Sequence, residues 1–158
     1  MHKRVIILNN TNISKDDIVI DEEYIFNTLQ GQVGADGLSF DTDLQKDIEW
    51  IKEIYKNAFK EPDIIKIKRL KDIFLYEVEK EVEKISNPHI VVIGTIIDEL
   101  KYFESAFGIV DTGGVVNVLT ASDILYDYGN YLRGGFSLID WEKENLEYKI
   151  IDTIDFHA

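Results

Sequence analysis

Apolar residues along this 158-residue chain follow two rhythms, short unbroken runs and stripes recurring every three or four positions. The runs predict buried strands and the stripes predict helices packed against them. Val5-Ile6-Ile7-Leu8 is the first run and gives a strand over residues 4–8. Residues 17–20 read as a short second strand or as the approach to a helix. Asp21 to Leu29 forms that helix, with Ile20, Tyr24, Ile25 and Leu29 on one side. Three glycines between Gly31 and Gly37 mark a loop, since glycine tolerates positive φ.

The first strong stripe is Leu44, Ile48, Ile51, Ile54, Tyr55 and Ala58, a helix over 43–60. Thr42 and Gln45 have capping-box spacing at its start, and Glu61-Pro62 ends it. A second helix over 70–85 presents Leu70, Ile73, Phe74, Val78, Val82 and Ile85 on one face. Its outer face pairs Glu77 with Lys80 and Glu81 with Lys84. His89 to Ile93 is a β-branched run suited to a central strand. Ile96, Leu100, Phe103 and Phe107 then predict a helix over 96–107, stopped by Gly108.

Ile109-Val110 and Val115 to Leu119 are strand material around Asp111-Thr112-Gly113-Gly114. Thr120 with Asp123 three residues on caps a short helix from Ala121 to Tyr128, and Gly129 follows. Phe136 to Ile139 and Leu146 to Ile151 flank the polar turn Glu142-Lys143-Glu144-Asn145, which predicts a C-terminal antiparallel hairpin. The fold class is therefore α+β: one domain over 1–158, a mixed sheet, and three to four helices covering it.

Charge narrows the function classes. The chain holds 30 acidic side chains against 17 basic ones, for a net charge of −13. Beyond His89 stand twelve carboxylates, offset by Lys101, Arg133, Lys143 and Lys149 alone. Such a surface repels phosphate backbones and anionic membranes, so it disfavours direct nucleic-acid binding and attracts cationic partners. Lys66, Lys68, Arg69 and Lys71 are the one basic cluster, and on a helix they spread over about half its circumference. Cysteine is absent, which removes thiolate catalysis, disulfides and Cys-based zinc sites. The Val5–Leu8 run is too short for a signal-peptide core of about 7–15 residues, and no stretch approaches the ~20 apolar residues of a membrane span. A soluble cytoplasmic protein is the expectation.

The candidate chemistry is sparse. Asp111-Thr112-Gly113, preceded by Gly108-Ile109-Val110, resembles the active-site tripeptide of retroviral-type aspartic proteases. That resemblance implies a dimer in which two Asp111 carboxylates share a proton, making Asp111 the alternative catalytic residue of a dimeric hydrolase. A second glycine, Gly114, follows where that family carries Ala or Ser. The plainer reading is a tight turn between strands. Asp41, Asp43 and Asp47 stand near calcium-loop spacing, but Lys46 and Lys52 occupy positions that need Gly and Glu; a helix start explains the acids. Gly94-Thr95 reads as a strand-to-helix turn without a nearby Lys. His2, His89 and His157 show no metal-ligand spacing, and neither a metal nor a cofactor is expected.

The stretch Tyr126-Asp127-Tyr128-Gly129-Asn130-Tyr131-Leu132-Arg133-Gly134-Gly135 has the composition of a recognition surface, with tyrosines for contact area and Gly and Asn for adaptability. Its plainer reading is a loop whose tyrosines half-bury on the sheet. As a binding surface it would use Tyr126, Asp127, Tyr128, Tyr131, Arg133, Asp123, Asp140 and Glu142 against a basic protein, in the manner of an immunity protein, antitoxin or inhibitor. The third expectation is a structural or assembly subunit of phage or mobile-element origin, with Tyr126–Tyr131 buried in self-association.

Overall fold

The computed structural model describes residues 2–9, 13–55, 59–61, 64–66, 105–110, 113–142 and 147–158. Seven strands, three α-helices and a single 3-10 turn at Lys15–Asp17 are formed by these residues. Strand β1 is His2–Asn9, β2 Gly37–Ser39, β3 Phe59–Glu61, β4 Ile64–Lys66, β5 Ser105–Val110, β6 Val116–Leu119 and β7 Glu147–His157. Helix α1 is Glu22–Val33, α2 Leu44–Ile54 and α3 Ala121–Leu132. The sheet runs β3-β4-β7-β1-β5-β6, with β2 paired to β7 off that path. It is mixed: β1 is parallel to β5 and antiparallel to β7. The α+β class expected from the hydrophobic pattern is the one observed.

Strand β1 sits at the centre because it is apolar on both faces. Ile6 and Leu8 join Phe107, Ile109, Tyr148 and Ile150 on one face, beneath Ile51 of α2, Tyr55 just past it and Ile124 of α3. Val5 and Ile7 join Ala106, Val110, Ile154 and Phe156 on the other, where Ile25, Leu29 and Val33 of α1 cover them. Each such side chain contributes roughly 1.5–3 kcal/mol on burial, so the two layers hold the sheet from both sides.

One irregularity sets what β7 presents. Its register against β1 shifts between Ile7, which faces Asp152, and Leu8, which faces Ile150, so Ile151 is the extra residue of a β-bulge. Before the bulge, Tyr148 and Ile150 point to the α2/α3 layer. After it, Ile154 and Phe156 point to the α1 layer instead. The α2 side of the sheet thereby receives Thr153 and Asp155. There the Thr153 hydroxyl donates to Asp47 Oδ2 at 2.7 Å, and the Thr42 hydroxyl donates to the Thr153 carbonyl at 3.0 Å. That carbonyl lies between the stretches of β7 paired with β4 and with β2, so Thr42 bonds β7 in the gap between its two short partners.

Several boundaries differ from expectation. Helix α1 continues through Gly31 to Val33 and stops at Gly34, whose φ of 68° is left-handed. Asp43, not Thr42, caps α2 by accepting from the Lys46 N–H at 3.2 Å, because Thr42 is engaged with β7. Helix α2 ends at Ile54 and Phe59–Glu61 is strand β3, so the helix expected to 60 is shorter. Phe107 and Gly108 belong to β5 rather than to a helix end. Gly108 is favoured there by packing: a Cβ would lie 2.7 Å from Val116 Cγ1. Phe136–Ile139 is an irregular segment and not a hairpin strand; β7 pairs with β1, β2 and β4. The helix expected over 70–85, the strand over 89–93, the Gly94-Thr95 turn and residues 143–145 lie outside the described residues.

Candidate partner-binding surface

Helix α3 carries most of the residues singled out for recognition. Its start is fixed by a reciprocal capping box: the Asp123 N–H donates to Thr120 Oγ1 at 3.3 Å, and the Thr120 N–H donates to Asp123 Oδ2 at 2.8 Å. Two otherwise unsatisfied amides are thereby paired at the positive end of the helix dipole. The helix runs past Gly129, beyond the expected end at Tyr128. It closes on Gly134, at φ 74°, where the Gly135 N–H donates to the Asn130 carbonyl at 2.9 Å and the Gly134 N–H to the Tyr131 carbonyl at 3.0 Å. This double closure needs a left-handed residue, which glycine supplies without strain.

Asp127 binds the segment that follows. Its Oδ1 accepts the Leu138 N–H at 2.7 Å, and its Oδ2 accepts the Ile139 N–H at 3.1 Å and the Trp141 indole N–H at 2.8 Å. A single carboxylate thus orders four residues of irregular chain with charge-assisted bonds, each stronger than a neutral one. The buried Trp141 ring meets Tyr128 edge-on, with centroids 4.9 Å apart and planes at 65°. Tyr128 and Tyr131 pack on the core around Ile124 and Ile139.

The eight predicted residues therefore divide by role. Asp123 and Asp127 hold the local structure, and Tyr128 and Tyr131 are half-buried against the sheet. Tyr126, Arg133, Asp140 and Glu142 are exposed. Arg133 donates to Asn130 Oδ1 at 3.0 Å. Three apolar residues not singled out beforehand join the exposed set: Leu132 at 64% exposure, Phe136 at 85%, and Leu138; Tyr126 stands at 69%. Sequence reasoning missed Phe136 because it reads as the first residue of a hairpin strand, and Leu132 because the helix was expected to end at Tyr128. The signal for Asp127 was available. A short carboxylate inside a helix is a poor helix former unless it bonds a distant partner.

A second polar constellation lies where β1 begins and β7 ends. Arg4 Nε donates to both Asp47 oxygens, at 3.1 and 3.0 Å, and Arg4 Nη1 pairs with Asp155. His2 Nδ1 lies 2.7 Å from Asp155 Oδ2, and His157 Nδ1 lies 2.6 Å from Asp36 Oδ1. The two imidazoles, 155 residues apart in sequence, are cross-strand partners with centroids 5.4 Å apart. This network ties the ends of β1 and β7 to α2. Asp47, spaced as if in a calcium loop, is an ion-pair partner of Arg4. Among the described residues no group of three or more His, Asp or Glu is arranged to hold a metal ion, and no helix is long and apolar enough to cross a membrane. Asp111 and Thr112 lie outside the described residues. No family model, curated protein or solved structure matches the chain.

Proposed function

We propose that this chain works by binding: a cytoplasmic, acidic module of the immunity-protein, antitoxin or inhibitor type that covers a basic surface of a partner protein. The observation that carries the reading is the exposure of Tyr126, Leu132 and Phe136 on a helix and loop held rigid by Asp127, with Asp140 and Glu142 on the same loop. Aromatic and aliphatic anchors on a preorganised scaffold lose little entropy on association. The surrounding negative charge accelerates encounter with a cationic partner.

Affinity capture from the native cell, using the whole chain as bait at low and high salt, tests the proposal. A basic protein is expected to be retained at low salt, with an association rate that falls steeply as salt rises. The Tyr126→Ala/Phe136→Ala double variant is expected to lose it. Retention of the same protein by that variant, or an association rate indifferent to salt, overturns the reading.

A further inference from the structure

On the α1 side of the molecule, away from α3, Glu22, Glu23, Phe26, Leu38, Ser39 and Phe40 line an open depression of about 500 Å³. We infer that this depression binds the guanidinium of an arginine side chain presented by an extended peptide segment. Two elements build it. Glu22 and Phe26, four residues apart, share one side of α1, while the buried stripe Ile25, Leu29 and Val33 fixes the rotation of the helix. Strand β2 supplies Leu38 and Ser39, held by pairing of Leu38 with Phe156, and Phe40 leaves the strand exposed.

The chemistry selects a cation. Three consecutive acids begin the helix, yet the N-terminal dipole amounts to roughly half a charge. Asp21 is already engaged as the cap, accepting the Tyr24 N–H at 3.0 Å. Glu22 and Glu23 have no ion-pair partner among the described residues, so their charge remains available. Two phenylalanine rings beside two carboxylates match a guanidinium, which stacks on aromatic faces while donating to carboxylates. A plain ammonium gains less from such walls, because it is more strongly hydrated. The peptide is extended because β2 is a three-residue strand whose one pairing partner among the described residues is β7. A second chain laid along its outer side would gain main-chain hydrogen bonds and place every other side chain toward the depression.

This site shares no residue with the α3 surface, so either can fail without the other. The test is an NMR titration of the labelled full chain with acetyl-Leu-Arg-Leu-amide and with its citrulline counterpart, which keeps the shape and loses the charge. The arginine peptide is expected to shift the amides of residues 22–26 and 38–40 saturably, and the citrulline peptide to bind about tenfold more weakly. Glu22→Gln/Glu23→Gln is expected to weaken the arginine peptide by a similar factor, as is Phe40→Ala, with the remaining resonances unmoved. Shifts spread over the whole acidic surface without saturation, equal response to citrulline, or indifference to both variants overturns the inference.

Discussion

The Asp127 carboxylate accepts the Trp141 indole N–H at 2.8 Å, and that bond joins the middle of α3 to an irregular segment fourteen residues on. Two backbone amides converge on the same carboxylate. Replacing Asp127 by Ala leaves three donors without their acceptor. Bonds to a charged group are worth about 1.5–3 kcal/mol each and are not additive, so a loss of roughly 2–4 kcal/mol is expected. Urea denaturation followed by tryptophan emission measures it. Asp127→Asn, which keeps one acceptor oxygen, is expected to fall between wild type and Ala.

The ion pair between Arg4 and Asp47 is the main polar link from β1 to α2, and both side chains are largely shielded from water. Asp47→Ala leaves Arg4 with Asp155 as its carboxylate partner and removes the nearer of two acceptors for the Thr153 hydroxyl, the other being Thr42 Oγ1 at 3.0 Å. The expected loss is about 2–3 kcal/mol, below the 3–5 kcal/mol of a fully buried pair. A double-mutant cycle with Arg4→Met, read by denaturation, should show a coupling energy near 1 kcal/mol or above. Strict additivity would mean that the pair contributes nothing.

Gly108 and Gly114 are held to glycine for different reasons. At Gly108 the obstacle is the Val116 side chain, which can shift, so Gly108→Ala is expected to cost about 1–3 kcal/mol by overpacking. At Gly114, φ is 81° and a Cβ would lie 2.6 Å from the Asp17 carbonyl oxygen, which is backbone. Gly114→Ala should therefore be the more damaging of the two. Thermal unfolding of both variants decides the order.

Thr120→Ala removes half of the α3 capping box and is expected to cost about 1 kcal/mol. Tyr126→Ala and Phe136→Ala, at exposed positions, should change stability by less than about 0.5 kcal/mol. The contrast is measurable in one set of denaturation curves. It establishes that binding losses in the latter pair are not losses of folding.

Local chemistry was legible where neighbours in sequence decide the structure. The Thr120–Asp123 cap, the β1 run and the stripe of Leu44, Ile48 and Ile51 were read correctly from spacing alone. Errors fell where a distant partner decides. Thr42 reads as a cap, but the Thr153 carbonyl claims its hydroxyl, and the cap moves to Asp43. Phe107 completes a helical stripe with Leu100 and Phe103, yet pairing beside Ile6 places it on a strand. Gly129 looks like a stop, although it has room within α3, and the chain turns at Gly134. Of the recognition surface, the tyrosines and acids were visible, but which of them face solvent was not. That division depends on Asp127 and Trp141 meeting across a loop, and the Arg4 network likewise gathers residues from both ends of the chain.

The extra residue at Ile151 makes the register of β7 a determinant of polarity. Excising Ile151 would let β7 pair along β1 without interruption, with Thr153 and Asp155 still beside Arg4 and Asp47 and with Ile154 and Phe156 still beneath α1. Drawing Ile151 into the regular ladder instead, with no residue extruded, would drive Thr153 and Asp155 into the hydrocarbon packing and press Ile154 and Phe156 against Arg4 and Asp47. A one-residue slip, with no change of composition, would thus turn half a strand inside out.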